Sequence, residues 1–183
     1  VTALAELPAR FHYVVICGLT GSGKSRLLIA LHEAGAQVLD LEQIAQHRGS
    51  LLGDLPDARQ PTQKWFDSQL LAALQGFDPA RPVFVESESR KIGTLQVPVA
   101  LLDAMRAAAC VRLDTPQALR VALLKDEYAH FLANPDALGD KLRHLAPLHG
   151  HQVIAQWDAT ARAGDFDALV SDLLTRHYDP TYA

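Results

Sequence analysis

The stretch His12–Ser25, HYVVICGLTGSGKS, decides how this chain reads. HYVVIC (12–17) is a β-branched apolar run of strand length. It gives way at Gly18 to GLTGSGKS (18–25), which meets the pattern G-x-x-x-x-G-K-[ST] without a gap. A helix then reads from Lys24 to Ala34, with Gly35 as its stop. Glycines at such a turn let backbone N–H groups face phosphate oxygens without Cβ clashes, and the helix N-terminus adds partial positive charge there. Lys24 suits contact with terminal phosphates, and Ser25 offers a hydroxyl to Mg2+. The candidate phosphate-binding set is therefore Gly18, Thr20, Gly21, Ser22, Gly23, Lys24 and Ser25. The pattern leaves open whose phosphate it holds.

Working outward, Gln37–Leu41, Arg81–Ser87 and Cys110–Asp114 are further strands, and helices are predicted over 61–74 and 98–107. Residues 1–10 read as a lead-in or linker, while 44–60 and 88–96 read as loop. Pro61 is expected at the first helical position, and Thr115-Pro116 and Asn134-Pro135 as N-cap and first-turn pairs. Those two pairs open helices to about Leu132 and Leu145. Two more are predicted over 151–163 and 166–176, the last with Phe166, Leu169, Val170, Leu173 and Leu174 on one face. Strand–helix alternation over 11–115 predicts an α/β, P-loop NTPase-like (kinase-like) core. It should hold a parallel sheet of about four to five strands flanked by helices. Residues 116–183 are predicted to be an all-helical C-terminal part.

Ligands in open α/β sheets bind at the carboxyl ends of the strands. The third strand ends in Glu86-Ser87-Glu88, and a carboxylate there is an outer-sphere partner of Mg2+ in P-loop proteins. Glu86 is thus a candidate metal and catalytic residue together with Ser25 and Lys24. The second strand ends in Asp40 and Glu42. Asp40 fits a general base or water-mediated metal contact, and equally a helix N-cap. Arg48 in HRGS (47–50) and Arg90 and Lys91 after the third strand suit phosphates or sugar edges, with Gln60, Gln63 and Lys64 as further donors. Arg120 and Lys125, after the fourth strand, fit lid cations that close over phosphates.

Composition narrows the classes. The chain has 183 residues, 49% hydrophobic and 21% charged, enough apolar content for a core and against disorder. The net charge of −4 argues against a generically basic nucleic-acid binder. No apolar run approaches a membrane span, and no signal-peptide pattern opens the chain. Cys17 and Cys110 read as buried small hydrophobes without metal spacing, which suits a reducing cytoplasm. His130, His144, His149 and His151 lack convergent metal spacing. Trp65, Phe66, Trp157 and Phe166 read as core.

Taken together, several segments resemble the tRNA 2-selenouridine synthase family, specifically its P-loop domain. They are GLTGSGKS (18–25), QVLDLE (37–42), HRGS (47–50), QPTQKWFDSQL (60–70), VFVESESRKIG (83–93), LDTP (113–116) and HYDPTY (177–182). Gln43 stands where the family is expected to have Gly, and Asp67 where it has Glu. The resemblance implies conversion of wobble 2-thiouridine in tRNA to 2-selenouridine through S-geranyl-2-thiouridine. It implies Mg2+, a phosphate-bearing ligand (geranyl diphosphate, selenophosphate, ATP or GTP) and tRNA as partner. It also implies a rhodanese-like domain whose cysteine handles selenium; this chain is expected to be the other half of such an enzyme. A small-molecule kinase and a non-catalytic RNA-binding module are the alternatives.

Overall fold

A computed structural model describes residues 2–50, 53 and 59–182. The chain divides into two compact units. One is built from the residues up to Gly18 and from Lys24 to Leu113. The other comprises Leu19–Gly23 and the chain from Asp114 onward.

The first unit contains α1 (Thr2–Glu6), β1 (Tyr13–Gly18), α2 (Lys24–Glu33), β2 (Gln37–Leu39) and α3 (Leu41–Ala45). It continues with α4 (Gln63–Gly76), β3 (Val83–Glu86), β4 (Lys91–Ile92), β5 (Leu95–Gln96), α5 (Val99–Arg106) and β6 (Ala109–Leu113). Four strands form one parallel sheet in the order β2-β3-β1-β6. The fold class is therefore α/β and P-loop NTPase-like, as the strand–helix alternation implies. Val15, Val83 and Val85 of the sheet bury with Phe66, Leu70 and Leu74 of α4 and Leu101, Leu102 and Met105 of α5. Apolar runs without polar alternation suit β1 and β3, the two inner strands of the sheet.

Several local expectations are corrected. The lead-in at 2–10 is α1 followed by a 3-10 turn over Leu7–Arg10, and Leu4 and Pro8 are buried. Leu4 joins the core, so this segment packs as part of the unit. Residues 88–96 hold the antiparallel ribbon β4–β5 instead of loop alone. Of the loop expected over 44–60, residues 51, 52 and 54–58 lie outside the described residues. Thr62 caps α4 by accepting from the Trp65 N–H (3.3 Å), which puts Pro61 ahead of the helix and not at its first position. Trp65 is 41% exposed, while its neighbour Phe66 is fully buried.

The cysteines are also corrected. Cys17 and Cys110 are joined as a disulfide, with Cα atoms 6.2 Å apart. Val15 pairs with Cys110 in register, and Cys17 is two residues further on, so both side chains share a face of adjacent strands. A separation of 93 residues hid this until β6 was placed beside β1. Cys110 is exposed, because β6 is an edge strand whose Val111 is 47% exposed.

The second unit is helical: α6 (Gln117–Glu127), α7 (Ala129–Leu132), α8 (Pro135–Arg143), α9 (Ala146–His149), α10 (His151–Arg162), α11 (Phe166–Leu173) and α12 (Asp179–Tyr182). A π-helical turn, Leu174–Tyr178, joins the last two. Asn134 caps α8 as expected, accepting from the Ala137 N–H. Thr115 does not cap α6, which begins after Pro116. Trp157, Leu142, Leu169 and Leu174 are buried here.

Candidate functional site

In the first unit the site forms where β1, β3 and β2 end. Parallel register sets Ile16 beside Glu86, and the Ser87 N–H donates to the Ile16 carbonyl, so the end of β3 lies against the end of β1. α2 starts at Lys24, immediately past the glycine-rich turn. Lys24 Nζ donates to the Gly18 carbonyl (3.0 Å) and lies 3.6 Å from Glu86 Oε1. Ser25 Oγ donates to Glu86 Oε2 (3.1 Å). Glu86 is 8% exposed, a buried carboxylate held by the two side chains of the phosphate-loop pattern.

β2 pairs with β3, which brings the next strand end alongside. Asp40 acts as the N-cap of α3: its Oδ1 accepts from the Gln43 N–H at 2.8 Å. Glu42, in the first turn of α3, then converges with Glu86 and Glu88, one oxygen of each lying within 4.8 Å of the others. The HRGS segment closes on this cluster. Its Gly49 N–H donates to Nδ1 of the buried His47 (3.1 Å). Gly49 has φ +69°, and a Cβ there would stand 3.0 Å from Glu42 Oε1 and 3.2 Å from Glu88 Oε2. A side chain at 49 would therefore crowd the carboxylates as well as strain the backbone.

Burial of like charges dominates the electrostatics. The Glu42 carboxyl is pushed up to about 9, first by burial and then by Glu86, Glu88 and Asp40, against the opposing pull of Lys24. Glu88 is pushed up to about 8, by burial and then by Glu86. Glu86 is raised by burial, with Lys24 and Ser25 opposing. A group of displaced carboxyls of this kind makes the cluster a candidate functional site. The donors are all oxygen, the chemistry that a hard divalent cation such as Mg2+ takes. Ser25 and Glu86 are the residues that would hold it, with Glu42 and Glu88 adjoining.

Other candidates land elsewhere. Arg48 is half-buried, and Arg90 and Lys91 stand exposed at the ribbon. Gln60 and Gln63 are not free donors. Gln60 donates to the Ile92 carbonyl (2.9 Å) and accepts from the Thr94 N–H (2.7 Å), and Gln63 exchanges two hydrogen bonds with the Gln96 backbone. The QPTQ segment thus clamps the ribbon that carries Lys91. Glu42 and Glu88 complete the carboxylate cluster; the acidic ends of the second and third strands were the signal for them.

In the second unit Arg120 is 4% exposed. Its Nε donates to the Thr20 carbonyl (2.8 Å), and its two Nη groups donate to the Asp179 carboxylate (3.0 and 2.5 Å). Thr115 Oγ1 donates to the Ser22 carbonyl (2.9 Å). Lys125 pairs with Asp167 at 2.8 Å. Ser22 Oγ is buried with no hydrogen-bond partner among the described residues.

Comparison with known proteins agrees with this picture. A family model described as the tRNA 2-selenouridine synthase AAA domain matches residues 11–141. A tRNA 2-selenouridine synthase from Aeromonas salmonicida (strain A449) is 32% identical, over 100% of this chain and 55% of its own length. One from Shewanella loihica (strain ATCC BAA-1088 / PV-4) is 33% identical, over 92% of this chain and 52% of its own. One from Shewanella oneidensis (strain ATCC 700550 / JCM 31522 / CIP 106686 / LMG 19005 / NCIMB 14063 / MR-1) is 39% identical over 67% of this chain and 32% of its own. The chain spans about half the length of the first two curated relatives. With an unbroken phosphate-loop pattern, a parallel sheet that sets its lysine and serine on Glu86, and a match over most of its length, the chain belongs to the tRNA 2-selenouridine synthase family.

Proposed function

We propose that this chain is the phosphate-handling part of a cytoplasmic transferase that converts wobble 2-thiouridine in tRNA to 2-selenouridine by way of S-geranyl-2-thiouridine. The loop 18–25 takes the diphosphate of geranyl diphosphate. The observation that carries this reading is the convergence of Lys24 and Ser25 on the buried Glu86. In the first step the thiouridine sulfur bonds to the allylic carbon as the carbon–oxygen bond to diphosphate breaks, and the N3 proton leaves the base. Charge accumulates on the departing diphosphate, where the Lys24 ammonium stabilises it by charge-assisted hydrogen bonding. Asp40 is the proposed acceptor of the proton. Mg2+, when bound, supplies further positive charge to the leaving group. Glu86 orients Lys24 and Ser25 toward that charge. Arg48, Arg90 and Lys91 hold the tRNA backbone. Hydrolysis of the phosphorus–selenium bond of selenophosphate then releases phosphate and selenide-level selenium, which a rhodanese-like domain of the full-length protein delivers to the base. A carbon–selenium bond forms at C2 as the carbon–sulfur bond breaks and the S-geranyl group leaves as geranylthiol.

Calorimetry with geranyl diphosphate, ATP and GTP, each with Mg2+, tests the reading. Binding of geranyl diphosphate that is lost in Lys24→Ala supports it. Absence of binding by all three removes the loop from the mechanism. ATP binding with phosphate transfer to an added acceptor would make the protein a kinase. Binding of tRNA unchanged in Lys24→Ala, without any small ligand, would leave an RNA-binding module.

A further inference from the structure

The closing HYDPTY segment places a carboxylate, Asp179, on the guanidinium that holds the phosphate loop. Arg120 reaches three acceptors within the second unit: the Thr20 carbonyl through Nε, and both Asp179 oxygens through its two Nη groups. This is a bidentate pair, and a planar guanidinium so clamped has a fixed direction for its Nε–H. Arg120 is almost fully buried, whereas the Asp179 side chain is 29% exposed. Thr115 performs the same service two residues along the loop, donating to the Ser22 carbonyl at 2.9 Å. Between these points Gly21 rests on α6. Its φ is +76°, and a Cβ would lie within 2.8 Å of Leu124 side-chain carbons and 3.1 Å from the Arg120 carbonyl.

Peptide geometry turns these anchors into a statement about donors. A trans peptide is planar, and its C=O and N–H point in opposite directions. Among the described residues no peptide bond is cis. Holding the Thr20 carbonyl on Arg120 therefore directs the Gly21 N–H the other way, and holding the Ser22 carbonyl on Thr115 does the same for the Gly23 N–H. Gly21 and Gly23 both have positive φ (76° and 88°), as successive N–H groups need when they turn toward one anion. Left to itself, a glycine-rich segment can rotate each of these peptides cheaply.

We propose that Asp179 is a positioning residue of the phosphate loop. It acts through Arg120, and Arg120 and Thr115 together orient the Gly21 and Gly23 N–H groups toward the ligand's phosphate. The proposal rests on the reading that Leu19–Gly23 contacts phosphate. Asp179 itself touches no ligand; it fixes the arginine that fixes the peptide. The segment after the π-helical turn thereby serves the loop, although more than 150 residues separate Asp179 from Thr20 in sequence.

The test measures geranyl diphosphate and inorganic diphosphate affinity, with Mg2+, for the wild-type chain, Lys24→Ala, Asp179→Asn, Asp179→Glu and Thr115→Val, alongside amide NMR of Gly21 and Gly23. Asp179→Asn and Thr115→Val should each weaken binding about tenfold, roughly the loss of one oriented hydrogen bond. Asp179→Asn should shift the Gly21 amide in the ligand-free protein, and Thr115→Val that of Gly23. Asp179→Glu should restore much of the affinity. Wild-type affinity together with unmoved glycine amides in Asp179→Asn would overturn the proposal. So would equal loss in Asp179→Asn and Asp179→Glu with wild-type amide positions, which would assign Asp179 a direct or purely structural role. If Asp179→Asn does not fold, Arg120→Lys, which keeps the charge but loses the fork, replaces it under the same criteria. Failure of the wild-type chain to bind either probe would instead count against the phosphate reading, and Lys24→Ala marks that separately.

Discussion

The two units treat their charges in opposite ways. In the second, cations and carboxylates are matched: Arg120 with Asp179, Lys125 with Asp167, Arg162 with Asp136 and Asp158, and Arg176 with Asp172. In the first, the half-buried Glu42 and Glu88 crowd the buried Glu86, and Lys24 is the cation whose charge lowers all three. Apart from the buried Arg120–Asp179, the matched pairs lie at a helical surface, where they cost little and contribute little. Crowded buried carboxylates cost stability, and a fold keeps them where a cation or a reaction requires them. The contrast fits the proposed chemistry in the first unit and the proposed positioning role of Asp179 in the second.

The contrast breaks most visibly at Lys24. Replacement by alanine should weaken diphosphate binding about ten- to a hundredfold, the worth of a charge-assisted hydrogen bond, and calorimetry reads it. Unchanged affinity would remove the lysine from the site. The next effect is on stability against pH. Groups raised from 4.5 to about 9 and about 8 keep protons in the fold that the unfolded chain has already released. Between about pH 4.5 and 9 the native state thus binds more protons, and stability falls as pH rises. Thermal melts without Mg2+ should show this decline, and Glu42→Gln should flatten it. A melting temperature that climbs across the window would contradict the crowding.

A smaller effect concerns the half-buried Arg48 and the exposed Arg90 and Lys91. The triple variant Arg48→Ala, Arg90→Ala, Lys91→Ala in the full enzyme should bind tRNA with a shallower salt dependence, by nearly one unit of log–log slope per lost contact. A wild-type slope would separate these residues from RNA. The least effect belongs to the matched surface. Lys125→Ala, which loses the pair to the mostly exposed Asp167, should change stability by no more than about 0.5 kcal/mol in denaturant titration. A much larger loss would mean that the second unit's pairs also carry strain.

Much of this was legible along the chain. The phosphate loop, the four parallel strands and Glu86 at a strand end follow from local pattern, because a strand's periodicity and a glycine-rich turn are set by neighbours in sequence. Glutamine at 60 and 63 looked like a ligand donor, yet both residues brace the β4–β5 backbone. A polar side chain carries no local sign of whether its partner will be substrate or a distant peptide.

By itself, then, the sequence determined the four strands of the parallel sheet, most of the helices and where the phosphate-loop pattern lies. The order β2-β3-β1-β6 decided the rest. Setting β3 between β2 and β1 brought Glu42 to Glu86 and Glu88, and setting β6 on the outer edge brought Cys110 to Cys17. In the helical unit, packing alone joined Arg120 to Thr20 and Asp179. These contacts span tens of residues up to 100, and the entropy of closing such loops is met by burial of the whole core, not by any signal at either end.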